Sequence, residues 1–117
     1  MTDFKQLIIY REAIELVRGI AQLTGQGRGL GDLLDQLQRA AISVPSNIAE
    51  GAALGTDRQF RKYLCTARGS VNEVEAQLDI IAAIYPDMQV AELTELASRI
   101  GKRLTCLIRR IHQRLTG

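Results

Sequence analysis

A single histidine, two cysteines, scattered carboxylates and a C-terminal run of arginines are the groups in this 117-residue chain that have chemistry to offer. Any Ser-His or Cys-His nucleophile pair would have to use His112. That residue stands among Arg109, Arg110 and Arg114 on a stretch expected to face solvent, so a solvated imidazole is expected there, not a general base. A metal centre lacks a second imidazole, and no Glu-x-x-His pair is present to build a carboxylate-bridged site, so neither metal nor cofactor is expected. Cys65 and Cys106 belong to no Cys-x-x-Cys pair and are expected as small reduced thiols in the core. Glu73 and Glu75 are two residues apart, which sends them to different faces of a helix. Glu50 and Glu73 can meet across helices, but two buried carboxylates need compensation, which Arg39 or Arg68 can offer. That favours a salt-bridge and hydrogen-bond network over an acid/base dyad. The segment Gly25-Gln26-Gly27-Arg28-Gly29-Leu30-Gly31 has the glycines of a phosphate cradle but neither the preceding strand nor the closing Gly-Lys-Ser/Thr, and reads as a connector. No catalytic residue emerges, and the chain reads as non-enzymatic.

Charge is the stronger signal. The formal net charge is +2, yet residues 99–117 hold Arg99, Lys102, Arg103, Arg109, Arg110 and Arg114 with no acid, leaving −4 for the rest. On a helix Arg99, Arg103, Arg110 and Arg114 share one row, with Lys102 and Arg109 on the next, so the cations form a connected flank. Such a flank attracts phosphate backbones. It also suits the negative end of a helix macrodipole, or acidic groups of a neighbouring helix or subunit. Duplex sequence reading is disfavoured, since there is no helix-turn-helix or zinc signature. With 4% aromatic residues and no Trp, a base-stacking platform is disfavoured too.

These groups must be positioned by helices. Apolar composition of 46% over 117 residues suits one domain, spanning 1–117, with an aliphatic core. Apolar residues recur at spacings of four and three in four stretches. The first, near Lys5 to Thr24, carries two adjacent seams, Ile9-Ala13-Leu16-Ile20-Leu23 and Tyr10-Ile14-Val17-Ala21. The double seam reads either as one broad core face or as a core face beside a subunit contact. The second runs from Asp32 to about Glu50, ending before Gly51, with Leu34-Leu37-Ala41-Val44-Ile48 inward and a kink expected at Pro45. The third follows a Thr56 or Asp57 cap and carries Phe60, Leu64, Ala67, Val71, Val74, Leu78, Ile81 and Tyr85. The fourth carries Leu93-Ala97-Ile100-Leu104-Leu107-Ile111. Short connections between long amphipathic helices predict an all-α, antiparallel up-down-up-down four-helix bundle. No leader and no run of roughly 18 apolar residues is visible, so a cytoplasmic protein is expected.

A polar stripe accompanies these seams. Arg39, Ser43, Asn47 and Glu50 lie on one edge of the second helix, and Ser70, Glu73 and Gln77 on one edge of the third. The string Gln38-Arg39-Ala40-Ala41-Ile42-Ser43-Val44-Pro45-Ser46-Asn47-Ile48-Ala49-Glu50-Gly51, followed by Phe60-x-x-Tyr63-Leu64-x-x-Ala67-x-Gly69-Ser70-x-x-Glu73-x-x-x-Gln77-Leu78, resembles the four-helix bundle proteins known as 23S rRNA intervening-sequence proteins. The likeness extends from Phe4-Lys5-Gln6-Leu7 and Tyr10-x-x-Ala13 to the last helix. It implies an antiparallel bacterial four-helix subunit that assembles into a homopentamer. It also implies kinship with the accessory protein of diversity-generating retroelements, which binds nucleic acid and a reverse transcriptase. The chain departs from the family pattern at Tyr10, where a Trp is usual, and at Gly29-Leu30-Gly31, where a Phe-Pro and Tyr-Gly-Leu stretch is usual.

Two uses remain open for the stripe of Arg39, Ser43, Asn47, Glu50, Ser70, Glu73 and Gln77: a network fixing helix register, or the lining of a site on an assembled ring. For the chain as a whole, the leading expectation is an oligomeric scaffold that binds structured RNA or another polyanion through the basic flank. The alternatives are a protein-interaction module docking an acidic partner, and, weakest, an enzyme with a carboxylate site.

Overall fold

In the computed structural model, which describes residues 3–24 and 31–117, the described residues are all-α with no strand. A 3-10 turn, Phe4–Gln6, leads into α1 (Ile8–Thr24), followed by α2 (Gly31–Ala53), α3 (Asp57–Ile84) and α4 (Ala91–Thr116). The predicted glycine-rich connector, apart from Gly31, lies outside the described residues.

The apolar seams explain the packing. Ala13, Leu16, Ile20, Leu37, Val44, Ile48, Leu64, Val71, Leu78, Ile100, Leu104 and Ile111 are all fully buried in one continuous core. Each fully buried Leu or Ile contributes roughly 1.5–3 kcal/mol relative to exposure, so these seams outweigh any local propensity. Each helix packs on its two neighbours in the cyclic order α1, α2, α3, α4. The contacts run in opposite senses along neighbouring helices. Ser43 meets Ser70 while Gly51 meets Tyr63, and Arg61 meets His112 while Gly101 meets Val71. The result is a rod of 49 × 21 × 20 Å.

The ends of the helices follow local chemistry. Thr56 caps α3, its Oγ1 accepting from the Gln59 amide at 3.2 Å. Gly55, with φ of 82°, supplies the left-handed residue in the turn from α2 to α3. The sequence expectation that Gly51 lies past the end of α2 needs correcting, because the helix continues through it to Ala53. Gly51 is there for proximity. A Cβ added at that position would sit 2.7 Å from Tyr63 Cβ and 3.2 Å from Phe60 Cδ1, so the α2–α3 contact is close enough to exclude a side chain. α2 also runs through the buried Pro45, which is compatible with the expected bend. Pro45 offers no amide to the Ala41 carbonyl. One residue on, Ser46 Oγ donates to the Ile42 carbonyl at 2.9 Å, and Asn47 Nδ2 donates to the Ser43 carbonyl at 2.8 Å.

Candidate nucleic-acid interface

The polar stripe between α2 and α3 is only partly brought together. Ser43 Oγ and Ser70 Oγ lie 2.8 Å apart across the interface, Asn47 Nδ2 reaches Ser43 Oγ at 3.0 Å, and Ser70 Oγ also donates to the Thr66 carbonyl at 3.2 Å. Half-buried hydroxyls joined this way satisfy one another and fix how the two helices face. Two turns further along α3, Gln77 Nε2 donates to Glu73 Oε2 at a long 3.4 Å, and the buried Gln77 Oε1 has no hydrogen-bond partner among the described residues. Arg39 and Glu50 are exposed and make no ion pair or side-chain hydrogen bond among the described residues. Arg68, a candidate to compensate those carboxylates, points to the other side of α3 and lines the groove with α4.

The basic flank of α4 divides. On the edge facing α1, Arg103 Nε lies 2.8 Å from Glu12 Oε1 and Arg99 Nη1 lies 3.4 Å from Glu12 Oε2. Glu12 Oε1 is buried and the Arg103 contact is a charge pair without hydrogen-bond alignment. At the C-terminal end, Arg114 grips Asp57 with two hydrogen bonds of 3.1 Å, from Nε and Nη2. Arg114 holds the Asp57 carboxyl below its ordinary value of 3.8, chiefly by hydrogen bonding, and Asp57 raises Arg114 in return. Lys102, Arg109 and Arg110 are exposed and have no carboxylate partner among the described residues.

Lys102 and Arg109 lie on the α3 side, where they join cations from another helix. Two shallow depressions share Arg68 and Thr105 and so form one groove between α3 and α4. One, of about 510 Å³, is lined by Arg61, Cys65, Arg68, Thr105, Ile108, Arg109 and His112. The next, of about 480 Å³, adds Lys102, Cys106 and, at its far end, Glu75. Arg61 Nη1 donates to His112 Nδ1 at 2.6 Å across the groove. The expectation of buried thiols is therefore corrected: Cys65 and Cys106 are both exposed, on the rims of a cationic groove. They sit there because the heptad seams of α3 and α4 bypass positions 65 and 106, leaving the core to Leu64, Ala67, Leu104 and Ile108.

Arg61 and Arg68 escaped the sequence reading as part of a basic face, although a signal was present. Residues 58–68 contain Arg58, Arg61, Lys62 and Arg68 with no acid, whereas residues 69–98 contain Glu73, Glu75, Asp79, Asp87, Glu92 and Glu95 with no Lys or Arg. Folding α3 against α4 in opposite senses lays the basic part of one beside the basic part of the other. The acids collect near the turn at Pro86.

The residues that position this groove are those of a known sequence pattern: the family model for 23S rRNA-intervening sequence protein matches residues 5–106. The chain belongs to that family. The match includes Arg61, Arg68, Arg99, Lys102 and Arg103, and it stops before Arg109, Arg110, His112 and Arg114. No curated protein matches the chain. Among the described residues no group of three or more His, Cys, Asp or Glu side chains is placed to hold a metal ion, and no helix is long and apolar enough to cross a membrane.

Proposed function

We propose that this family member is a non-enzymatic, oligomeric scaffold that binds structured RNA or other nucleic acid through the basic flank of α4. The observation that carries the reading is the set of cations left without carboxylate partners, Lys102, Arg109 and Arg110, on a helix whose last 18 residues hold no acid. Unpaired charges of one sign repel one another and raise the energy of the free protein, and a phosphate polymer relieves that repulsion while releasing its own counterions. The expected mode is sequence-indifferent, because the groove beside these cations is lined by no Phe, Tyr or Trp to serve as a stacking platform.

Self-association is supported by the second seam of α1. Tyr10, Ile14 and Val17 are half-buried and Ile8 is 58% exposed, so this apolar strip is only partly covered within one chain. A homopentamer is the assembly the family resemblance suggests, and light scattering on the purified protein measures it directly.

The test of binding is fluorescence anisotropy of a labelled RNA hairpin titrated with protein at low and moderate salt. Affinity is expected to fall linearly in log-log form with salt, with a slope of about −0.7 to −0.9 per phosphate contacted. Absence of binding at low salt overturns the nucleic-acid reading and directs the search to acidic protein partners.

A further inference from the structure

We propose that the nucleic-acid backbone is held lengthwise in the groove between α3 and α4, gripped by Arg61 and Arg68 on one wall and Lys102 and Arg109 on the other, and not by the row of α4 that faces α1. The inference rests on the nucleic-acid reading above and assigns the surface and the kind of contact.

Three observations carry it. First, both walls contribute cations, and the stretch from Arg61 to Arg109 contains no carboxylate; Glu75 enters only at the far end, beside Lys102. Second, the competing row is already engaged. Arg99 and Arg103 share Glu12, and Arg114 is locked to Asp57 by two hydrogen bonds, which leaves Arg110 as the cation of that row without a carboxylate partner among the described residues. A phosphate contacting Arg103 would have to compete with a carboxylate at 2.8 Å, whereas one contacting Arg109 would not. Third, the Arg61 guanidinium is oriented across the groove by its hydrogen bond to His112, so part of the ordering cost is met before a ligand arrives.

The dimensions define the ligand. Packed helices lie about 8–10 Å apart, and Arg61 to Arg68 spans about 10 Å along the axis at 1.5 Å per residue. A phosphodiester strand laid on the surface along this length contacts a few successive phosphates. Thr105 on the floor, a hydroxyl donor, and a lining without Phe, Tyr or Trp fit backbone contact without base reading.

The test compares two charge-matched double variants, R68Q/R109Q in the groove and R99Q/R103Q on the α1-facing row, where both arginines are already engaged by Glu12, with wild-type protein and a labelled RNA hairpin bearing a single-stranded tail. Both variants lose two positive charges, so a mere net-charge effect weakens them equally. R68Q/R109Q is expected to bind at least about tenfold more weakly, with the salt slope shallower by about 1.4–1.8 for two lost phosphate contacts. R99Q/R103Q is expected to stay within about threefold of wild type, and R68K/R109K to recover most of the affinity. Helicity and melting temperature confirm that each variant is folded; glutamine is nearly as good a helix former as arginine. Equal losses in the two variants, or a larger loss in R99Q/R103Q, overturn the groove while leaving the nucleic-acid reading in place. Failure of the wild-type protein to bind overturns both.

Discussion

The two sides of α3 use polar residues in opposite ways. Toward α2, Ser43 Oγ joins Ser70 Oγ at 2.8 Å and Asn47 Nδ2 at 3.0 Å in a chain of hydrogen bonds, beside a Gly51 contact too close for a side chain. Toward α4, Arg61, Arg68, Lys102 and Arg109 line a groove and find no opposite charge there until Glu75 at its end. The first arrangement satisfies its own donors and acceptors, so its removal costs stability. The second leaves like charges together, so it costs stability to keep, a cost that the proposed phosphate contact would offset.

The sharpest way to break this comparison is at Gly51. Gly51→Ala inserts a Cβ where Tyr63 and Phe60 leave no space, and overpacking of this kind costs about 1–3 kcal/mol. Urea denaturation is expected to show that loss, with unchanged RNA affinity in the protein that remains folded. A neutral result would mean that the α2–α3 contact is looser than the close approach implies.

Asn47→Leu comes next. It removes the donor to the Ser43 carbonyl and hydroxyl in a half-buried position, an expected loss of about 1–2 kcal/mol. Stability or assembly should change before any ligand effect. A folded, correctly assembled Asn47→Leu protein that no longer bound RNA would move the α2–α3 stripe from architecture to binding and dissolve the contrast.

On the α4 side the stability effects should be small and of the other sign. Arg68→Gln with Arg109→Gln is expected to change stability by no more than about 0.5 kcal/mol. Added salt should raise the wild-type melting temperature by about 2–4 °C by screening the groove, and raise that of the double variant less. A double variant with the wild type's full response to salt would show that the groove charges do not repel one another appreciably.

The smallest effect belongs to Arg114 and Asp57, both solvent-exposed. Asp57 has a folded-state value below its ordinary 3.8, so its contribution is present above that value and is lost as pH falls through the depressed one. Arg114 is raised further above its already high ordinary value and contributes no titration in the usual range. Arg114→Gln should therefore flatten the acid limb of a stability profile below about pH 4 and leave neutral pH nearly unchanged, measured by thermal melting at stepped pH.

The helices were legible in the sequence because buried positions recur with the helical period, and Leu64, Val71, Leu78, Leu104 and Ile111 occupy the core as their spacing requires. Thr56 was readable as a cap for the same local reason. Gly51 was misread because glycine at a helix terminus and glycine at a helix crossing look alike along one chain; only the facing Tyr63 separates them. Cys65 and Cys106 were misread because residue type was allowed to outweigh phase, although both fall off their seams. The cationic groove was half legible. Arg109 and Lys102 stood out in a run, whereas Arg61 and Arg68 are 41 and 34 positions away from Lys102 and become its neighbours only through the reversal at Pro86.

That reversal has a consequence before any contact is made. With Glu92 and Glu95 at the turn end and Arg61, Arg109 and Arg110 toward the other, the 49 Å rod carries opposite charge at its two tips. In the field of a distant polyanion such a molecule experiences a torque as well as a pull. A polyanion that binds this chain would meet it basic tip first, which would shorten the search over orientations and make the rate of encounter sensitive to salt.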